Sequence, residues 1–248
     1  MKSLYIGLII LFVATTLLAT QLIIHKTDGT DIQVNISDIE SITFGEAPYG
    51  EILLYDDFDS YEVGTFPSEG GWVIQYGGAG QNYQYISDDY SNSGSKSLRI
   101  SGTSGWRAEI INEIDLSETD IVFYEASFYA LPGSRGSVSL YNPDYGSWGG
   151  WTCRILFEDG DLNFRDFDPG AESIELFSYS QEEWVTVKLR YDQQVGKVDI
   201  WANGILVLEQ HEMNSNIEPF GITHFVVSTN NYYGNQINYW DDLKVWTE

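Results

Sequence analysis

Cysteine is all but missing from this 248-residue chain: Cys153 stands alone, and one thiol cannot close an intramolecular bridge, which excludes a disulfide scaffold. Positive charge is also scarce. Twelve Lys and Arg face 37 Asp and Glu, for a formal net charge of −25, so the chain lacks the cationic footprint that displaces counterions from phosphates. Nucleic acid is therefore excluded as a partner. From Glu51 onward no stretch has the helical period of apolar residues, which argues against an α-helical domain. What the sequence does hold is 43% hydrophobic residues, including eight Trp, seventeen Tyr and twelve Phe. That content buries a large core and excludes a disordered chain.

Residues 1–19, MKSLYIGLIILFVATTLLA, place a positive charge at Lys2 ahead of an apolar run, the order of a secretory signal peptide. Leu17 and Ala19 offer an imperfect cleavage site. The run from Leu4 to Ala19 falls short of the roughly 20 apolar residues that span a bilayer. The expected location is extracellular, periplasmic or cell-surface, with membrane attachment only if this segment is retained.

Residues 20–45 hold two alternating apolar stretches around Asp28-Gly29, which predicts a short N-terminal β-hairpin. A linker, residues 46–50 with Pro48, separates it from the main domain at 51–248. In that domain short β-branched and aromatic runs recur between Gly, Asn, Asp and Ser clusters, the spacing of an all-β sandwich or barrel. Val185, Val187, Leu189 and Tyr191 share one face of a predicted strand, and Trp184, Thr186, Lys188 and Arg190 the other. Val122, Tyr124, Ala126 and Phe128 likewise oppose Phe123, Glu125, Ser127 and Tyr129.

The pair formed by Trp184 to Asp192 and Gly196 to Gly204, with Trp opening one strand and Asn203-Gly204 closing the next, resembles a hairpin of concanavalin A-like, laminin-G-type jelly rolls. The segment Asp56 to Gly64, followed by Trp72, and the segment Tyr239 to Val245 are similar to the first and last strands of bacterial members. The resemblance implies a two-sheet antiparallel jelly-roll sandwich. It leaves activity open, because this fold carries lectins, glycanases, lyases and adhesive modules.

Glu113-Ile114-Asp115-Leu116-Ser117-Glu118 resembles the Glu-x-Asp-x-x-Glu pair of laminarinase-type glycanases, but Asp115 to Asp120 has turn chemistry that splays the carboxylates. Trp106-Arg107-Ala108-Glu109 resembles the Arg-x-Glu strand of jelly-roll alginate lyases, and Tyr232-Tyr233-Gly234-Asn235-Gln236 is loosely similar to their Tyr-bearing strand. The Gln-x-His element of those lyases is not recognisable. Arg107 has a plainer reading as half of a salt bridge.

If Asp159-Gly160 is a two-residue turn, Glu158 pairs with Asp161 and Arg154 faces Arg165. Cys153, Ile155, Phe157, Leu162 and Phe164 then share a core face, which makes Cys153 a small buried hydrophobe. Like charges in register are destabilising, so something negative is expected between the arginines. The candidates are Glu125 or Glu158, or else an acidic sugar or sulfate held by guanidinium forks. Sugar faces stack on exposed rings, and Tyr145, Trp148, Trp201, Tyr232 and Tyr233 are the ring candidates. Asp241 shares a strand face with Tyr239, Leu243 and Val245, a core side on which a carboxylate needs a partner. Asp57, Asp59, Asp241 and Asp242 could together hold a structural Ca²⁺, as in relatives of this fold. These readings converge on a secreted, lectin-like module that binds a polysaccharide or cell-surface glycan through aromatic and Arg residues of a concave sheet. A glycoside hydrolase, a polysaccharide lyase and an adhesion module with a protein partner are the alternatives.

Overall fold

A computed structural model describes residues 21–25, 31–35, 50–116, 120–145, 150–168, 172–213, 221–229 and 236–248. The signal segment 1–19 lies outside them. The chain divides into two compact units, Met1–Pro48 and Tyr49–Glu248. In the first, β1 (Gln21–His25) and β2 (Asp31–Asn35) pair antiparallel, from Gln21 opposite Asn35 to His25 opposite Asp31.

The second unit is an antiparallel sandwich of two sheets. Its strands are β3 (Ile52–Asp56), β4 (Trp72–Gly77), β5 (Tyr85–Ser87), β6 (Ser97–Gly102), β7 (Ala108–Glu113), β8 (Ile121–Ala130) and β9 (Gly136–Tyr141), then β10 (Trp151–Glu158), β11 (Asp161–Asp168) and β12 (Ile174–Ser178). They continue with β13 (Val185–Asp192), β14 (Lys197–Ala202), β15 (Ile205–Glu212), β16 (His224–Thr229) and β17 (Gln236–Thr247). One sheet has seven strands in the order β12-β11-β10-β9-β16-β7-β4. The other has eight, β15-β14-β13-β8-β17-β6-β5, with β3 also paired to β17. In each order three of the six neighbouring pairs join strands distant in sequence, the mark of a jelly roll rather than a meander.

Alternation decides what lies between the sheets. Val185, Val187, Leu189 and Tyr191 are buried while Thr186, Lys188 and Arg190 stay partly exposed, as the pattern predicts. Val122, Tyr124, Ala126 and Phe128 of β8 are fully buried too. Phe128 stacks on Phe157 of β10 with ring centroids 4.1 Å apart, and the Tyr124 hydroxyl donates to the Cys153 carbonyl at 2.7 Å, so both contacts tie one sheet to the other. Burial pushes the Tyr124 phenol and the Cys153 thiol well above their ordinary pKa values.

Turn chemistry agrees with the sequence at two hairpins. Asp159 and Gly160 have φ of 56° and 95°, and Asn203 and Gly204 have 48° and 77°, the doubly positive geometry of a tight two-residue turn. Two bulges were not anticipated. On β10 the register to β9 gains a residue between Thr152 and Ile155, with Cys153 at φ 52°. On β17 the register to β8 gains one between Asp241 and Lys244, with Asp242 at φ 49°. Each bulge reverses which face the following side chains take.

Candidate functional site

The outer face of the seven-stranded sheet carries the densest group of chemistry-bearing residues. On β7, Ile110 points into the core, so Glu109 and Ile111 point away from it; on β16 and β9 the same parity turns Val226 and Tyr141 outward. Ile111, Tyr141, Trp151 and Val226 form a small apolar cluster separate from the main core. That cluster is the floor on which the charged groups stand.

Arg107 and Glu109, two residues apart on one strand face, meet directly. The Arg107 Nε donates to Glu109 Oε2 at 2.8 Å, and the guanidinium carbon lies 4.6 Å from the ring centroids of both Tyr76 and Trp151. Arg154 reaches the same indole from β10, 4.8 Å from its centroid, and its Nε donates to Ser137 Oγ at 3.0 Å. Trp151 thus supports two guanidinium groups. Trp106, 54% exposed, meets the edge of Tyr76 at 6.0 Å and leaves an accessible ring beside Arg107.

Glu109 is 0% exposed. Burial raises its carboxyl above the usual range, opposed by Arg107 and, more weakly, by Arg154 and the Trp151 indole. The buried Tyr141 phenol accepts from Gln75 Nε2 at 2.9 Å and is pushed up to about 12, first by burial and then by the nearby Glu109 charge. Ser139 Oγ and Gln75 Oε1, beside Tyr141, are buried without a hydrogen-bond partner among the described residues.

Arg154 and Arg165 face each other in register across β10 and β11 as the turn arithmetic predicts, and Arg165 Nε donates to Ser173 Oγ at 2.7 Å. Of their expected acidic neighbours, Glu125 needs correction. Glu125 stands on β8 in the other sheet, in register with Lys188 and Lys244, and Glu158 is an ion partner of Arg135 at 3.9 Å. The carboxylate that senses Arg154 is Glu109.

Trp201 does not join the arginines. It lies on β14 of the eight-stranded sheet under the Lys188 ammonium, 4.6 Å from its ring centroid. Tyr145 ends a short 3₁₀ turn, Pro143–Tyr145, and its side chain lies outside the described residues, as do Trp148, Tyr232 and Tyr233. Of the glycanase-like pair, Glu113 ends β7 and Ile114 to Leu116 leave the strand, while Glu118 lies outside the described residues.

Asp241 also needs correction. It is fully buried but not on the core face, because the β17 bulge reverses parity: Trp240, Leu243 and Val245 enter the core while Asp241 faces out, opposite Ser127. The segment Asn92–Ser95 covers it. Asp241 Oδ2 accepts the N–H groups of Asn92 (2.7 Å) and Ser93 (3.1 Å), and Oδ1 accepts that of Asp242 (2.8 Å). Burial is the largest influence and lifts its pKa from 3.8 to about 7. Asp242 accepts from Ser93 Oγ and the Asn92 amide, Asp59 from the N–H groups of Ser95 and Lys96, and Asp57 from Tyr55 and the Asp59 N–H. A Ca²⁺ at these four aspartates would have to displace those donors. Among the described residues no group of three or more His, Cys, Asp or Glu stands where it could hold a metal ion.

No family model and no curated protein matches the chain. Solved structures do. The catalytic domain of the glycoside hydrolase family 131 protein from Coprinopsis cinerea aligns over 79% of this chain and 94% of its own at 15% identity and TM-score 0.55. The alginate lyase Aly36B, a mutant in complex with alginate tetrasaccharide, aligns over 81% and 98% at 15% identity and TM-score 0.51. A sialidase aligns over 78% of this chain at 11% identity and TM-score 0.57, and the match spans 18% of that protein's length. The likeness is one of fold. It agrees with the two-sheet antiparallel sandwich and leaves the chemistry to the residues above.

Proposed function

We propose that the chain is a secreted, lectin-like module that binds an acidic polysaccharide on the outer face of its seven-stranded sheet. The observation that carries this reading is the pair of guanidinium groups, Arg107 and Arg154, fixed over one indole, Trp151. Guanidinium forks match the two oxygens of a carboxylate or sulfate, and the ring underneath adds a cation–π contact that holds both groups on one face. Trp106 and Tyr76 offer ring surface next to them for the apolar face of a sugar. The structural neighbours support a carbohydrate ligand, since one of them was solved with an alginate tetrasaccharide.

Binding without cleavage fits the titratable groups on this face. A general base must reach the proton it removes. Glu109 is enclosed and tied to Arg107, the Tyr141 phenol is enclosed with Gln75, and His224 Nδ1 is engaged with Thr223 Oγ1 at 2.8 Å. The apolar N-terminal segment supports export, and a mature chain starting near Thr20 is the expected product on N-terminal sequencing.

Affinity electrophoresis through alginate, dextran sulfate and neutral laminarin tests the reading. Retardation is expected in the two acidic gels and should fall at least about tenfold in Arg107→Ala or Arg154→Ala, as the loss of a charged partner predicts. Equal mobility of the native protein in all three gels removes the acidic-glycan reading. New reducing ends, or an unsaturated product, on prolonged incubation would replace binding with hydrolysis or elimination.

A further inference from the structure

We propose that Glu109 is an internal counter-anion that holds the place of the ligand's acid group: when Arg107 and Arg154 grip a carboxylate or sulfate of the glycan, Glu109 takes up one proton from solvent. The inference rests on the reading of this face as an acidic-glycan site and states how that site exchanges charge.

Five elements surround the carboxylate. Arg107 comes from the segment before β7, and Tyr76 of β4 pairs with Glu109 in register. On the other side Ser228 of β16 pairs with it, Tyr141 comes from β9, and Trp151 and Arg154 come from β10. Arg107 and Arg154 are therefore the cations that face Glu109 among the described residues, and Tyr141 and Tyr76 are the other titratable groups. With no exposed surface, Glu109 depends on those two guanidinium groups, and on the Trp151 indole, for any charge it carries.

An external anion on the same groups draws their N–H donors outward and adds a negative charge within a few ångströms. Both changes disfavour a second carboxylate in a dry site, so the buried one becomes the neutral acid. One proton moves from solvent to Glu109 and one anion moves from solvent to the arginines, so net charge in the site is unchanged. Binding should tighten as pH falls, by up to tenfold per unit for one linked proton, for as long as Glu109 is ionised in the free protein and the ligand's acid is ionised too.

Calorimetry of the unmodified protein with alginate tetrasaccharide, at one pH in two buffers of different ionisation heat, measures the proton directly. The expected result is an uptake approaching one proton per site, with affinity rising from mildly basic to mildly acidic pH. Glu109→Gln, which keeps shape but has no proton to take, should bind without uptake and with a flat pH profile, tighter than the native protein at the basic end. Binding with buffer-independent heat overturns the inference and leaves the glycan site standing. Absence of binding to alginate tetrasaccharide and dextran sulfate alike overturns both. If the Gln variant fails to fold, the two-buffer measurement on the native protein still decides.

Discussion

Arg154 and Arg165 sit opposite each other on β10 and β11, two guanidinium groups in one cross-strand pair. Facing like charges cost a sheet a few tenths to about 1 kcal/mol, and here each guanidinium turns to its own serine, Arg154 to Ser137 and Arg165 to Ser173. Arg165→Thr is expected to stabilise the fold by about 0.5 kcal/mol, read from urea unfolding, while weakening retention on alginate. A variant that both loses stability and keeps full retention would show that Arg165 is a structural residue.

Trp151 supports Arg107 and Arg154 and belongs to the apolar floor with Ile111, Tyr141 and Val226. Trp151→Ala should cost about 3 kcal/mol and abolish retention on acidic glycans. Trp151→Phe, which keeps a smaller ring, should recover most of the stability and only part of the binding. Parallel recovery of both would indicate that the ring acts through packing alone.

Trp201 provides the contrast. Its strand is in the eight-stranded sheet and its partner is Lys188, so Trp201→Ala should leave mobility in alginate gels unchanged within error. A loss comparable to that of Arg154→Ala would move the site to the other sheet.

Asp241 makes stability depend on pH. A carboxyl whose folded-state pKa lies above its unfolded value binds its proton more tightly when folded. Its contribution is therefore complete below 3.8 and is lost as pH rises towards about 7. Melting curves across that window should show the native protein losing on the order of 5 °C more than Asp241→Asn, whose amide does not titrate. Comparing slopes removes the general self-repulsion of a chain with net charge −25.

Cys153 is sealed between the sheets and its thiol is raised by burial, so the thiolate that reacts with disulfide reagents is not available in the folded protein. Labelling should proceed at the rate of unfolding. Rapid labelling under native conditions would mean that β10 opens locally.

The sequence made the sandwich legible where local rules suffice. Val185 to Tyr191 alternates cleanly, and Asp159-Gly160 sets the β10 and β11 register because its two positive φ angles fix the turn. Alternation tells inside from outside but not which sheet a strand joins, since pairing partners such as β16 and β7 are far apart in the chain. Trp201 and Glu125 were therefore assigned to the wrong face of the molecule. Asp241 was misplaced for a different reason: the extra residue at Asp242 reverses parity, and no residue there requires a bulge. Glu109 was visible as the third residue of Arg107-Ala108-Glu109, whose spacing puts both charges on one side. What the sequence could not show was its enclosure, which depends on Trp151 and Arg154 arriving from three strands away.

The bulge on β10 sets the spacing of the two groups that define the site. Trp151 and Arg154 are three positions apart, a separation that regular pleating assigns to opposite faces, yet they meet because Cys153 is the extra residue between them. Removing that one codon would restore an unbroken ladder with β9 and leave Trp151 and Arg154 two positions apart, again on one face. Such a deletion would spare the pairing of indole and guanidinium and remove a side chain from the core between the sheets, so its cost falls on folding before recognition.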